Sequence, residues 1–157
     1  MKIILYFTFS FSFMFLSFMV GMILTFLVRK SSLYQNKLSN LNFITNENLN
    51  KFLGVNLLKW IVKNTFFKYL NQNLKMNKSF KVLDLNQIRS EMTKAEIGHL
   101  FGFFFVTPFI VYKFINQEYL FAIILLLLNI LMNLCPTLLQ QQNKRRIDQL
   151  INRFNSK

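Results

Sequence analysis

The sequence predicts an all-α integral membrane protein: an N-terminal transmembrane helix, a cytoplasmic basic amphipathic helical segment, and a C-terminal transmembrane helical hairpin. Three observations predict it. Ile3 to Val28 carries no charge and is longer than the roughly 20 residues that cross a hydrocarbon core. Leu120 to Leu139 is a second charge-free apolar run, and the stretch Ile97 to Phe114 before it is long enough to pair with it as a hairpin. Basic residues gather between Arg29 and Lys94 and again after Leu139, so both stretches belong on the cytoplasmic side, with the N-terminus and Glu118 outside. The expected units are residues 1–30, 31–85 and 86–157. The expected location is the cell membrane, as a multi-pass protein.

The first run is read as a retained anchor. Its apolar part exceeds the h-region of a signal peptide, and no small-x-small site precedes Arg29. Residues 31–48 are polar, without helical periodicity, and read as a connector. From Asn50 to Leu74, apolar Leu53, Leu57, Trp60, Ile61 and Phe67 recur at helical spacing among Lys51, Lys59, Lys63 and Lys68. Such a helix can lie in the headgroup region or pack on the rest of the chain. Phe80 to Leu85 reads as a short extended piece, with Asp84-x-x-Gln87 or Thr93-x-x-Glu96 as alternative capping boxes for the next helix. Pro108 should bend that helix, and Ile115 to Tyr119 should form the hairpin turn.

The net charge of +13 points to an anionic lipid surface and not to nucleic acid, given the apolar runs. Cys135, the single cysteine, excludes an intramolecular disulfide and a cysteine-based metal cluster. Glu96 and His99 have the spacing of a carboxylate–histidine metal pair, but there is no other histidine to complete it, so neither a metal nor a cofactor is expected. No serine or cysteine sits in a nucleophile-activating motif.

The candidate site is Glu91-Met-Thr-Lys-Ala-Glu-Ile-Gly-His99, a charged helical stretch running directly into an apolar one. Glu96 and His99 share a helix face, which suits general-base work, the carboxylate orienting an imidazole whose pKa lies near neutrality. A hairpin returns the chain to the side it left, so the cluster Gln140 to Arg146 should reach the same surface. In the last span Asn129, Asn133 and Gln140 fall near one face, with Thr137 beside them. The amides serve either as glue between helices or as substrate contacts. Lys144, Arg145 and Arg146 could hold a phosphate-bearing donor, stabilise an oxyanion, or simply mark topology.

Glu-x-x-Lys-Ala-Glu-x-x-His entering an apolar helix, followed by Asn133, Gln140, Asn143, Lys144 and Arg146 around the end of the next, resembles the glycosyl-diaponeurosporenoate acyltransferase family of small membrane proteins. The resemblance runs from about Arg89 to Leu150. It departs at Leu100, where the family pattern has Trp, and at Gln141-Gln142 and Arg145, where the pattern has an Arg-Tyr pair and a Pro. The resemblance implies transfer of a fatty acyl group from a donor such as a CoA or carrier-protein thioester to a hydroxyl of a lipid or glycosylated carotenoid. His99 would be the base and Glu96 its orienter, with Glu91, Lys94, Asn133, Gln140, Asn143, Lys144 and Arg146 around the substrates. The competing function is a non-enzymatic membrane protein whose clusters hold a partner or anionic lipid headgroups.

Overall fold

The computed structural model describes residues 2–43, 57, 59, 60, 64 and 82–156, and every regular element among them is helical. Helix α1 spans Lys2–Val28, α2 Ser32–Asn36, α3 Val82–Ile115, α4 Tyr119–Asn129 and α5 Cys135–Asn155. A 3-10 turn, Leu38–Asn40, follows α2, and a π-helical turn, Ile130–Leu134, joins α4 to α5 without a break. Three helical stretches are long and apolar enough to cross a membrane: Lys2–Val28, Asp84–Ile115 and Tyr119–Asn155. This is the expected all-α membrane architecture of one span plus a hairpin.

Lipid tails are as apolar as leucine, so hydrophobicity cannot drive helices together within a bilayer, and close packing has to. On α1 the buried positions are Ser10, Met14, Ser17, Gly21 and Thr25, a stripe of mostly small residues at helical spacing. Ile4, Phe7, Phe15, Met22 and Phe26 point away from the bundle. The stripe meets Gly98 and Gly102, a G-x-x-x-G pair on α3, so tightly that a Cβ at Gly21 would overlap the Gly98 carbonyl. Farther along, Met14, Val106, Ile110 and Leu125 form an apolar core. Phe13 stacks beside Phe105 at 5.7 Å and meets Phe109 edge-on at 4.6 Å.

The hairpin turn falls where the polar residues 116–118 put it. Gln117 adopts φ 60°, Glu118 N–H donates to the Lys113 carbonyl at 3.0 Å, and Gln117 N–H to Phe114 at 3.1 Å. These are the two bonds of a Schellman motif, which satisfies carbonyls that the end of α3 would otherwise leave bare. Lys113 also pairs with Glu118 at 2.8 Å and sits over the Phe121 ring.

Several local expectations change. Val82 to Leu85 is helical, not extended, so the helix starts upstream of both suggested capping boxes. Thr93 is in mid-helix, its hydroxyl donating to the Arg89 carbonyl at 2.9 Å. The connector after Arg29 begins with α2, whose N-cap is Ser31. The amphipathic segment Asn50 to Leu74 lies outside the described residues except for Leu57, Lys59, Trp60 and Asn64; these four are helical, and Leu57 and Trp60 are exposed.

At ~1.5 Å per residue the 34 residues of α3 extend about 51 Å, well beyond a ~30 Å hydrocarbon layer. Its first half is therefore more than a single crossing needs, and it runs alongside the end of α5. There Leu85, Met92 and Ile147 form a second apolar cluster, flanked by Ile88, Leu150 and Ile151.

Candidate active site at the polar end of the bundle

Counted back from the hairpin turn at Ile115, Glu96 sits about 28 Å along α3, close to the full hydrocarbon thickness. The turn carrying Glu96 and His99 thus lies about one hydrocarbon thickness from the hairpin turn. Antiparallel pairing with α5 brings the Gln140 to Arg146 cluster to this same level.

Glu96 is wholly buried. Its Oε2 accepts from Lys144 Nζ at 2.7 Å, its Oε1 from Gln141 Nε2 at 2.9 Å, and its backbone carbonyl from Thr137 Oγ1 at 3.4 Å. Lys144, also buried, donates a further bond to the Ser39 carbonyl at 3.0 Å. A carboxylate and an ammonium removed from water persist only when paired and hydrogen-bonded, and this pair is both. The segment after α2 is drawn over the same end. Arg89 Nε pairs with Asp148 at 2.5 Å while its Nη2 reaches Asn40 Oδ1 at 3.2 Å, and Arg145 donates to Asn42. Tyr34 of α2 is buried nearby, and its phenol pKa is raised by burial first, then by Glu96 and Glu91, with Arg29 opposing.

His99, one turn beyond Glu96, stands outside that network, in which the hydrogen bonds to the Glu96 carboxylate come from Gln141 and Lys144. The imidazole meets Phe18 of α1 edge-on at 5.3 Å and lies against the Asn133 side chain and the Met132 backbone carbonyl. Pro136 accounts for that carbonyl. It has no N–H to offer the residue four earlier, which is Met132, and its ring crowds the same group. The π turn just before it absorbs the disturbance.

Asn133 is wholly buried in that π turn. Its Nδ2 donates to Asn129 Oδ1 at 2.8 Å and to Ser17 Oγ at 3.1 Å, while Asn129 Nδ2 donates to the Phe103 carbonyl at 3.2 Å. Gly102 makes room for it, since a Cβ there would stand 2.8 Å from Asn133 Oδ1. Asn133 Oδ1, His99 Nδ1, Gln141 Oε1 and Gln142 Oε1 are all buried without a partner at hydrogen-bond geometry. All four can act as acceptors.

The remaining sequence candidates are more peripheral. Glu91 and Lys94 pair with each other at 2.5 Å on an accessible face of α3. Gln140 and Asn143 are half-buried on α5, and Arg146 is exposed. Gln141, not Gln140, occupies the buried position in line with Asn129, Asn133 and Thr137. Those four lie four apart, twelve residues in all, against about 11 for three α-helical turns, and the π turn supplies the difference. Among the described residues no three His, Cys, Asp or Glu side chains converge on a common point. Sequence reasoning missed Gln141, Ser17 and the three glycines. The G-x-x-x-G at 98–102 and the small-residue stripe of α1 were readable signals of close helix contact; nothing in a single sequence distinguishes Gln141 from its neighbours.

Fold and site together define a small helical membrane protein with a polar site at the mouth of a three-helix bundle. The chain belongs to the CrtO family, glycosyl-4,4'-diaponeurosporenoate acyltransferase, whose family model matches residues 30–153. The match takes in α2, the middle segment and the hairpin to within two residues of the end of α5, a longer stretch than the motifs between Arg89 and Leu150. No curated protein and no solved structure matches the chain.

Proposed function

We propose that this protein esterifies a sugar hydroxyl of glycosyl-4,4'-diaponeurosporenoate with a fatty acyl group, taken from a thioester donor on coenzyme A or a carrier protein. Family membership supports an acyltransferase role in the carotenoid pathway. The observation that carries the reading to these residues is a pair of buried acceptor atoms without donors close to Glu96: His99 Nδ1, one turn along α3, and Gln141 Oε1, on the side chain that bonds the Glu96 carboxylate; a substrate hydroxyl is the kind of donor they lack. The depth fits both substrates, since an acyl chain and a polyene belong in the hydrocarbon while a sugar and a thioester belong at its edge.

In this reading His99 is the general base and Asn133, together with the Met132 carbonyl, is its orienter in place of Glu96. An imidazole N–H directed to an amide oxygen leaves the lone pair of the other ring nitrogen for the acceptor hydroxyl. His99 takes the hydroxyl proton as the oxygen attacks the thioester carbonyl. The tetrahedral intermediate then collapses, the C–S bond breaks, and the proton on His99 passes to the departing sulfur, so an ester and a thiol are formed. Glu96 holds Lys144 and Gln141, keeping Gln141 Oε1 in the site. Arg146, exposed at the polar end, is the group for a phosphate-bearing donor, with Gln140 and Asn143 beside it and Glu91 and Lys94 at the rim. The polar end faces the cytoplasm, where thioester donors are made.

The test is mass spectrometry of lipid extracts from cells that make the glycosylated carotenoid acid, with and without this chain. A product heavier by one acyl group, absent with His99→Ala at equal protein abundance, is expected. Unchanged glycolipid in cells holding the inserted protein overturns the reading. A cysteine in place of Asn143 should be labelled only from the cytoplasmic side.

A further inference from the structure

We propose that Ser17 and Asn129 are positioning residues for this acyl transfer, setting which end of the Asn133 carboxamide meets His99, so that α1 is part of the catalytic unit and not only its anchor. The inference rests on His99 being the base. Its geometry is separate, and Ser17 lies in α1, outside the residues matched by the family model.

A carboxamide has a donor end and an acceptor end that are nearly the same size, so its direction is set by what surrounds it. Here the direction propagates from one group that can only accept, the Phe103 carbonyl. Asn129 must turn its NH2 to that carbonyl, at 3.2 Å, which turns Asn129 Oδ1 toward Asn133. Asn133 must then answer with its own NH2, at 2.8 Å. Ser17 enforces the same choice independently. Its hydroxyl proton is committed to the Met14 carbonyl at 2.7 Å, so toward Asn133 Nδ2, 3.1 Å away, it offers only a lone pair. Both constraints leave Asn133 Oδ1 facing out of the network toward α3 at Gly102, three residues beyond His99, whose imidazole lies against this side chain. The other orientation would set an NH2 against the imidazole, competing for the lone pair the base needs. Ser17, Asn129 and Asn133 are all buried, where an unpaired polar group is costly, so the orientation that satisfies every partner is the one held.

The test uses the full chain in lipid nanodiscs, with glycosyl-4,4'-diaponeurosporenoate and palmitoyl-CoA as substrates. Ser17→Ala and Asn129→Leu should each lower kcat by about tenfold or more, as misplacing a catalytic group does, with KM for both substrates unchanged. On an Asn133→Leu background neither should cause further loss, because residues acting through one group are not additive. Ser10→Ala is the control. Ser10 is buried on the same face of α1, seven residues earlier, with no hydrogen-bond partner for its hydroxyl, and its loss should leave kcat unchanged. Losses that multiply on the Asn133→Leu background, or that follow protein abundance, or that appear in KM alone, overturn the positioning role and leave His99 as base. Full activity in His99→Ala overturns both, and is read separately.

Discussion

The middle of the bundle and its polar end are held by different forces. In the middle, α1 and α3 touch at backbone level through Gly21, Gly98 and Gly102, with phenylalanines packed on either side. At the polar end, α3, α5 and the segment after α2 are joined by Glu96, Lys144, Arg89, Asp148 and their amide partners. The first region depends on having no side chain in the way, the second on having a specific side chain present. Substitutions should therefore fail in opposite senses: additions harm the middle, and deletions harm the end.

The largest effect is expected from Gly21→Val. The added Cβ meets the Gly98 carbonyl, backbone and not a flexible side chain, so α1 must move off α3. The cost should exceed the about 1–3 kcal/mol of ordinary overpacking, and α1 should become accessible to crosslinking from other chains. Wild-type thermal stability in detergent would break the contrast.

Next comes the buried ion pair. Glu96→Gln leaves the Lys144 ammonium buried without its counter-charge, which should cost about 3–5 kcal/mol and reduce abundance. Adding Lys144→Met should recover much of that stability, since it removes the uncompensated buried charge. If Glu96→Gln retained full stability and lost only turnover, Glu96 would belong to the chemistry and not to the frame.

Arg89 and Asp148 sharpen the comparison from the accessible side. Both are partly exposed, so Arg89→Ala should cost only about 0.2–1 kcal/mol by thermal unfolding, with less difference at high salt.

The smallest effect is a pH dependence. The Tyr34 phenol, raised by burial and then by Glu96 and Glu91, holds its proton more tightly in the folded chain than in the unfolded one. Its contribution is fully present below about pH 10 and declines as pH rises toward the folded value. Melting curves between about pH 9 and 11 should fall less for Tyr34→Phe than for wild type. Parallel curves would mean that the phenol is not coupled to that end.

The spans, the hairpin turn and the meeting of the two polar clusters were legible because they follow from run lengths, charge placement and chain reversal. Glu96 and His99 share a face as helical spacing requires, yet their partners could not be read from that spacing. Which side chain a buried carboxylate accepts from depends on the azimuth of the facing helix, and here a π turn alters that azimuth just upstream. This is why Gln141 takes the buried position and Gln140 does not. Likewise Asn133 was legible as a buried amide, but its Ser17 partner lies 116 positions away in sequence.

The π turn has a consequence for how this chain can change in length. A π turn holds one residue more than the α-helix it replaces, and in a helix each residue added or removed swings everything beyond it by about 100°. Asn129 precedes the turn and Gln141 follows it, yet both face α3 only because that extra residue is counted in. Leu131 lies in the turn with its side chain exposed and could be replaced by many apolar residues. It could not be removed. Its place in the chain matters as a unit of length, so this stretch should tolerate changes of spelling far better than changes of count.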